Sequence, residues 1–325
     1  MKVTPHGSSP GVAGLSTCPP HSASISRYTK LVMAGGLILS AFAGCGGGSS
    51  GGNSGSINPS AVVFQSNRDG DQEILSMDSD GRNVRRVTDN EVSDTEPAVS
   101  PDGSSIAYVS NRTGNNEIFV VSGAGTRRLT NNAFSDRKPA FSSDGRTLVF
   151  TSVRNRIADL YLIDIETLKE TRLTATNAVE DDPTFAPDGN IVFASDAAGG
   201  YFQIHEIDPR SKSEKSLTSG EVDHLDPSVS PNGARIAFVL ESQRQRTISI
   251  IPRSQISGAA TPPPLGSVLQ EGTGSGEPCF GSDGSRLFFS SDRSGNFEIF
   301  SMAVDGTDVR KLTNNAATDS SPSVR

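Results

Sequence analysis

Tryptophan is absent from the 325 residues, and histidine and cysteine are scarce, at four and three. Without Trp the chain lacks the best stacking platform for sugars or nucleic-acid bases. Cys18, Cys45 and Cys279 fit neither a metal-type spacing nor a disulfide framework. Past residue 45 only His205 and His224 remain, too few for a multi-histidine metal site. Bases are outnumbered as well. With Lys2, Arg27 and Lys30 set aside, 26 Lys and Arg face 37 Asp and Glu. An acidic chain repels a phosphate backbone, so nucleic acid is not an expected partner. The main apolar run, residues 31–43 (LVMAGGLILSAFA), has 13 residues, too few for a transmembrane helix.

What is abundant is glycine, with 33 residues, and proline, with 19, against a hydrophobic content of only 34%. That mixture suits many short strands joined by tight turns.

The apolar run follows Arg27 and Lys30 and ends at Ala43-Gly44-Cys45. A positive stretch, a short apolar stretch and small residues describe an export signal. Phe42-Ala43-Gly44-Cys45 resembles the lipobox of bacterial lipoproteins, with Phe42 where Leu is usual. The resemblance implies that residues 1–45 are a lipoprotein-type signal peptide and that Cys45 carries the lipid. Residues 46–59 (GGGSSGGNSGSINP) read as a flexible tether. Their Gly47-Gly48-Ser49-Ser50-Gly51 is a formal G-x-S-x-G match, but a tether supplies no strand-to-helix elbow for the serine. Gly46, in place of Asp, resembles lipoproteins sorted to the outer membrane. The expected location is therefore the cell envelope, lipid-anchored on the outer membrane and facing the periplasm.

From residue 60 onward the chain repeats itself. Ser-Pro-Asp-Gly or a near variant recurs, with Gly103, Gly145, Gly189, Gly233 and Gly284 at its end. A Leu-Thr or Val-Thr marker recurs at Thr88, Thr130, Thr174, Thr218 and Thr313, and skips the fifth unit. Periods of about 40–50 residues with several strands each mean propeller blades. Each unit reads as four strands. Strand A starts at a proline, as in Pro97–Ser100; strand B is apolar, as in Ile106–Ser110. Strand C follows, as in Glu117–Ser122, and strand D ends at the Thr marker, as in Val84–Thr88. Pro-Asp-Gly supplies a fixed φ and a positive φ for the A–B turn.

Six B strands are counted, at 61–66, 104–110, 146–152, 190–195, 234–240 and 285–291. The expected fold is all-β: a six-bladed β-propeller of four-stranded antiparallel blades over residues 60–325. The first unit lacks a strand A, and Pro322-Ser323-Val324-Arg325 is a strand A with nothing after it. The C-terminal strand should therefore complete the first blade, leaving no open edge at the seam. Residues 252–276 of the fifth unit, rich in Pro, Gly and Ser, read as a loose outer strand with a surface loop.

The markers carry a family likeness. Ser66-Asn67-Arg68-Asp69-Gly70, Glu73-Ile74, Asp80-Gly81 and Arg85-Arg86-Val87-Thr88 resemble the TolB-type propeller repeat. TolB itself has a further α/β domain before its propeller; residues 1–59 hold only the leader and tether. The resemblance implies a protein-binding platform. Relatives also include propellers attached to peptidases and propeller lyases acting on pectic oligosaccharides.

Two sets of charges fall on the face where the D–A and B–C loops emerge around the channel mouth. Asp319 with Arg68, Asp94 with Arg112, and Asp136 with Arg154 pair as structural salt bridges. Arg293 faces Ser275, while Glu180 and His224 stand where no arginine is available. Binding is expected at Glu180, Asp181, Asp182, Asp223, His224, Asp226 and Glu277, on blades four to six. Such an acidic group suits a basic partner surface or a divalent cation. The expected function is a non-enzymatic, monomeric envelope lipoprotein binding a protein or peptide at the channel mouth. It needs no cofactor or metal and touches the membrane only through its lipid. The alternative is a propeller hydrolase or lyase on envelope or pectic polymers.

Overall fold

The computed structural model describes residues 61–242, 245–254 and 274–324. The leader, Cys45, the tether and most of the 252–276 stretch lie outside the described residues.

Among the described residues the chain forms 23 strands and no helix, arranged in six antiparallel sheets. In blade order, the A strands are Asp319–Val324, Asp94–Val99, Ser135–Phe141, Glu180–Phe185, Asp223–Val229 and Ser275–Phe280. The B strands are Ala61–Ser66, Ser105–Ser110, Thr147–Arg154, Ile191–Ser195, Arg235–Ser242 and Arg286–Ser291. The C strands are Glu73–Asp78, Glu117–Ser122, Ile157–Asp164, Gln203–Ile207, Gln245–Pro252 and Glu298–Ala303. Outer D strands are Arg85–Arg86, Gly125–Arg128, Glu170–Arg172, Glu214–Ser216 and Arg310–Lys311. The fifth blade has three strands among the described residues, the others four.

The ring closes as a six-bladed propeller. Strand A of each blade packs against strand A of the next, including the sixth against the first. The first blade is completed by the C-terminal strand, with Ser66 opposite Asp319 and Val62 opposite Val324. Gln65 Nε2 donates to Ser320 Oγ at 2.9 Å across this seam.

The core is divided among the blade boundaries. Among the described residues there are six apolar clusters, one at each boundary: Phe288 and Ile299 of the sixth blade, for example, meet Val62, Phe64 and Leu75 of the first. B strands are covered on both faces, which is why they read as continuous apolar runs such as Val62-Val63-Phe64, each fully buried.

The recurrent threonine clamps C to D. Thr88, Thr130, Thr174, Thr218 and Thr313 each accept the N–H of a strand-C residue, for instance Ile118 at 2.9 Å. The A–B turn is closed by Gly103 N–H to Ser100 O at 2.8 Å, with φ of 72° at Gly103. The expectation that strand A begins at its proline needs correcting. Strand A starts three residues earlier, as at Asp94, or four, as at Ser135, and the ladder shifts register around Pro97, between Thr95 and Ala98. The proline sits in a β-bulge, where a missing N–H breaks no ladder bond.

Candidate functional site: the central channel

The bulge shapes the channel. In every blade the residue before the strand-A proline has a left-handed backbone: Glu96, Lys138, Asp182, Asp226, Glu277 and Ser321, with φ between 49° and 54°. A non-glycine residue there costs about 1–2 kcal/mol, so the surroundings must hold it. These six residues, with the proline and the residue after it in each blade, line a cavity of about 180 Å³.

The holding bonds run from blade to blade. Gln65 Oε1 accepts Glu96 N–H at 2.8 Å, and Glu96 Oε2 accepts Lys138 N–H at 2.7 Å. Asp226 Oδ2 accepts Glu277 N–H at 3.4 Å. Glu277 takes both the N–H and the hydroxyl of Ser321 at 2.7 Å. Lys138 Nζ lies 3.1 Å from Asp182 and 3.8 Å from Asp226. Arg137 pairs with Asp181 at 2.7 Å, and Arg246 with Glu241 at 3.1 Å and Asp226 at 3.5 Å.

Four carboxylates, one ammonium and one hydroxyl thus occupy the ring. Burial raises the Glu96 and Asp182 carboxyls above the usual range, with Lys138 partly offsetting it. At Glu277, burial would raise the carboxyl, but Lys138, Ser321 and Arg246 outweigh it and hold it below that range. Cys279 also lines the channel, and burial pushes its thiol up to about 11. At neutral pH it is no nucleophile.

Of the residues expected to bind, Asp182, Asp226 and Glu277 line the cavity. Asp181 is buried against Arg137. Glu180, Asp223 and His224 are not among the lining residues; they stand at the head of their strands. Glu180 is buried and accepts from Thr174 Oγ1 at 2.9 Å and from Thr176 Oγ1. Burial pushes its carboxyl up to about 7. Asp223 Oδ1 accepts Phe202 N–H at 2.9 Å. His224 is fully buried, its ring 5.1 Å from that of Phe238. Among the described residues neither of its nitrogens has a hydrogen-bond partner, and burial pushes it down to about 4.

Sequence reasoning missed Glu96, Lys138 and Ser321. The signal was present: each repeat carries its channel residue immediately before the strand-A proline.

The salt-bridge pattern is partly redrawn. Arg68 lies 2.9 Å from Asp319, and Arg112 lies 2.9 Å from Asp94. Arg154 does not reach Asp136. It pairs with Glu170 of strand D at 2.7 Å, and Asp136 instead accepts from Ser152 at 2.6 Å and Asn132 at 2.7 Å. What the four arginines share is different. Each donates Nε to a serine at or near the end of strand B: Ser66, Ser110, Ser152 or Ser291. Each also lies over an aromatic ring, Arg154 at 3.9 Å from Tyr161 being the shortest. Arg293 shares both contacts, with Ser291 Oγ and the Phe300 ring, in the blade where Ser275 stands opposite Ser291.

Comparison with known proteins gives consistent likenesses. A family model described as the TolB beta propeller domain matches residues 47–135 and 125–260. Over 65 residues the chain is 37% identical to the Protein TolB homolog of Chlorobaculum tepidum, covering 20% of this chain and 15% of that protein. Over 64 residues it is 38% identical to the Tol-Pal system protein TolB of Desulfosudis oleivorans, with the same coverages of 20% and 15%. The matched stretch is thus a small part of those relatives. The fold resembles TolB from Acinetobacter baumannii with a TM-score of 0.67 and 24% identity, over 81% of this chain and 65% of that one. It also resembles a puromycin-hydrolyzing peptidase of Mycobacterium tuberculosis with a TM-score of 0.55 and 15% identity, over 78% of this chain and 43% of that one.

Proposed function

This chain belongs to the TolB β-propeller family, and on that premise we propose that it is a non-enzymatic envelope protein whose channel mouth binds a protein or peptide. The observation that carries the reading is the channel ring, in which four carboxylates face one lysine. Flanking Asp181 is matched by Arg137, and Arg246 is shared between Glu241 and Asp226, so the ring keeps more acids than bases. A basic segment of a partner complements it. Asp182, Asp226 and Glu277 are the contact residues of this reading; Asp181, Glu180, Asp223 and His224 support them from behind.

The leader and Cys45 support export and a lipid anchor on the outer membrane, facing the periplasm, with the propeller acting as a monomer. Against an enzyme stands the state of the two remaining histidines. His205 Nδ1 is engaged by Glu214 at 2.7 Å, and His224 is buried beside Phe238.

The test is capture of envelope proteins by the full-length chain at 50 and 500 mM salt, with Asp182→Asn and Asp226→Asn in parallel. The partner is expected to be lost at high salt and weakened about tenfold or more in the variants. Capture indifferent to both, or turnover of peptides or oligogalacturonides by the wild type, overturns the reading. For the anchor, palmitate label is expected on wild type and absent from Cys45→Ala.

A further inference from the structure

Lys138 is the one base among the six channel positions. Its ammonium reaches past the neighbouring fourth blade to Asp226 of the fifth. Asp182 is nine-tenths buried, and its Oδ1 meets no partner but this ammonium among the described residues. Glu96 and Glu277 add their fields from the second and sixth blades. Arg137 is engaged by Asp181 at 2.7 Å, and Arg246 is shared between Glu241 at 3.1 Å and Asp226 at 3.5 Å.

We infer that the channel is a primary-ammonium site that the chain fills with its own Lys138, closing it to small free cations. An ammonium carries three donors on a compact charge at the end of a flexible stem, which suits carboxylates presented by separate blades. A metal ion asks for several oxygens at one short distance. Among the described residues no three His, Cys, Asp or Glu side chains form a group able to hold one. Burial alone would push the lysine's affinity for its proton down. The carboxylates of Asp182, Asp226, Glu96 and Glu277 outweigh burial and hold Lys138 well above the usual lysine value. The charge is therefore permanent at any physiological pH. Removing it takes the ammonium from Asp182 Oδ1, leaves Asp226 with Arg246 at 3.5 Å, and opens a space of lysine length beside the cavity. The inference does not depend on a partner docking at the mouth.

The experiment uses the full chain, wild type and Lys138→Ala, at low ionic strength and pH 7.5. Thermal melting is followed with n-propylammonium chloride, n-propanol, sodium chloride or calcium chloride at equal concentration. The variant is expected to melt about 10 °C lower than wild type, by the usual scaling of a lost buried counter-ion. Propylammonium should restore at least half of that drop, and the other three additives should not. The wild type should respond to none of the four. A variant as stable as wild type, equal rescue by the alcohol or by sodium chloride, rescue by calcium alone, or a wild type that gains as much from propylammonium overturns the inference. If Lys138→Ala does not fold, its yield on refolding becomes the readout. Folded protein recovered with propylammonium, and not with sodium chloride, supports the inference; no recovery counts against it.

Discussion

Blades one, two, three and six differ from blades four and five at one place, the head of strand A. In the first group an arginine just past the end of strand B, or at it in Arg154, bonds a serine and lies over an aromatic ring. In blades four and five Ala197 and Ser242 stand at that position. The groups left behind are Glu180 and His224, both buried. Burial moves them in opposite directions, Glu180 up to about 7 and His224 down to about 4. Both shifts favour the neutral form, as desolvation without a countercharge requires. In blades four and five, where the arginine is absent, the group at the head of strand A is driven towards its neutral form. The sixth blade, irregular in sequence, belongs with the scaffold in this respect.

Stability measurements on variants separate the two groups of blades. The largest effect is expected from the scaffold side. Deleting residues 320–325 strips strand A from the first blade and opens the ring, and the melting temperature should fall by more than about 10 °C. A tail-like loss of a degree or two would mean that the seam does not close the ring. Next comes Arg112→Met. It leaves Asp94, which is fully buried, without its cation. The arginine is itself partly exposed, so a cost of about 2–3 kcal/mol is expected in urea unfolding, below the full penalty of a dry pair.

Blades four and five should instead reveal themselves through pH. Glu180 holds its proton to about 7 in the folded chain, above the ordinary 4.5. Its contribution is fully present below 4.5 and is lost as pH rises through about 7. Glu180→Gln should remove that loss and gain on wild type at pH 8, by at most about 3 kcal/mol. Ala197→Arg should flatten the same limb if it restores the missing cation. His224 has the opposite sign: its contribution is present above 6.5 and is lost as pH falls towards about 4. In His224→Phe, stability should no longer decline over that interval. Stability curves of wild type and variants that run parallel across pH 4–8 would refute the contrast. The smallest effect belongs to the C–D clamp. Thr130→Val removes an acceptor for Ile118 N–H and should cost about 1 kcal/mol.

The blade count was legible because its signals are local and repeated. A turn needs Gly where φ is positive, and a B strand covered on both faces needs an unbroken apolar run. The position of strand A was less legible. Pro97 looks like a strand start, but a bulge lets the strand run through it. The channel ring was half legible: Asp182, Asp226 and Glu277 drew notice as acids, while Lys138 and Ser321 did not. Arg154 shows a different limit. Asp136 and Glu170 are both plausible partners by spacing, and only the path of strand D brings Glu170 to 2.7 Å.

The sequence by itself determined the number of blades, the strand that closes the first, and the turns between them. Those follow from φ preferences at the turns and from the unbroken apolar runs of strands covered on both faces, signals carried by near neighbours in the chain. Tertiary structure alone decided which charges meet. The channel side chains stand 42 to 51 residues apart along the chain, from Glu96 to Lys138 and from Asp226 to Glu277. Their distances exist only once the ring is closed, and so do the burial that neutralises Glu180 and His224 and the carboxylate field that surrounds Lys138.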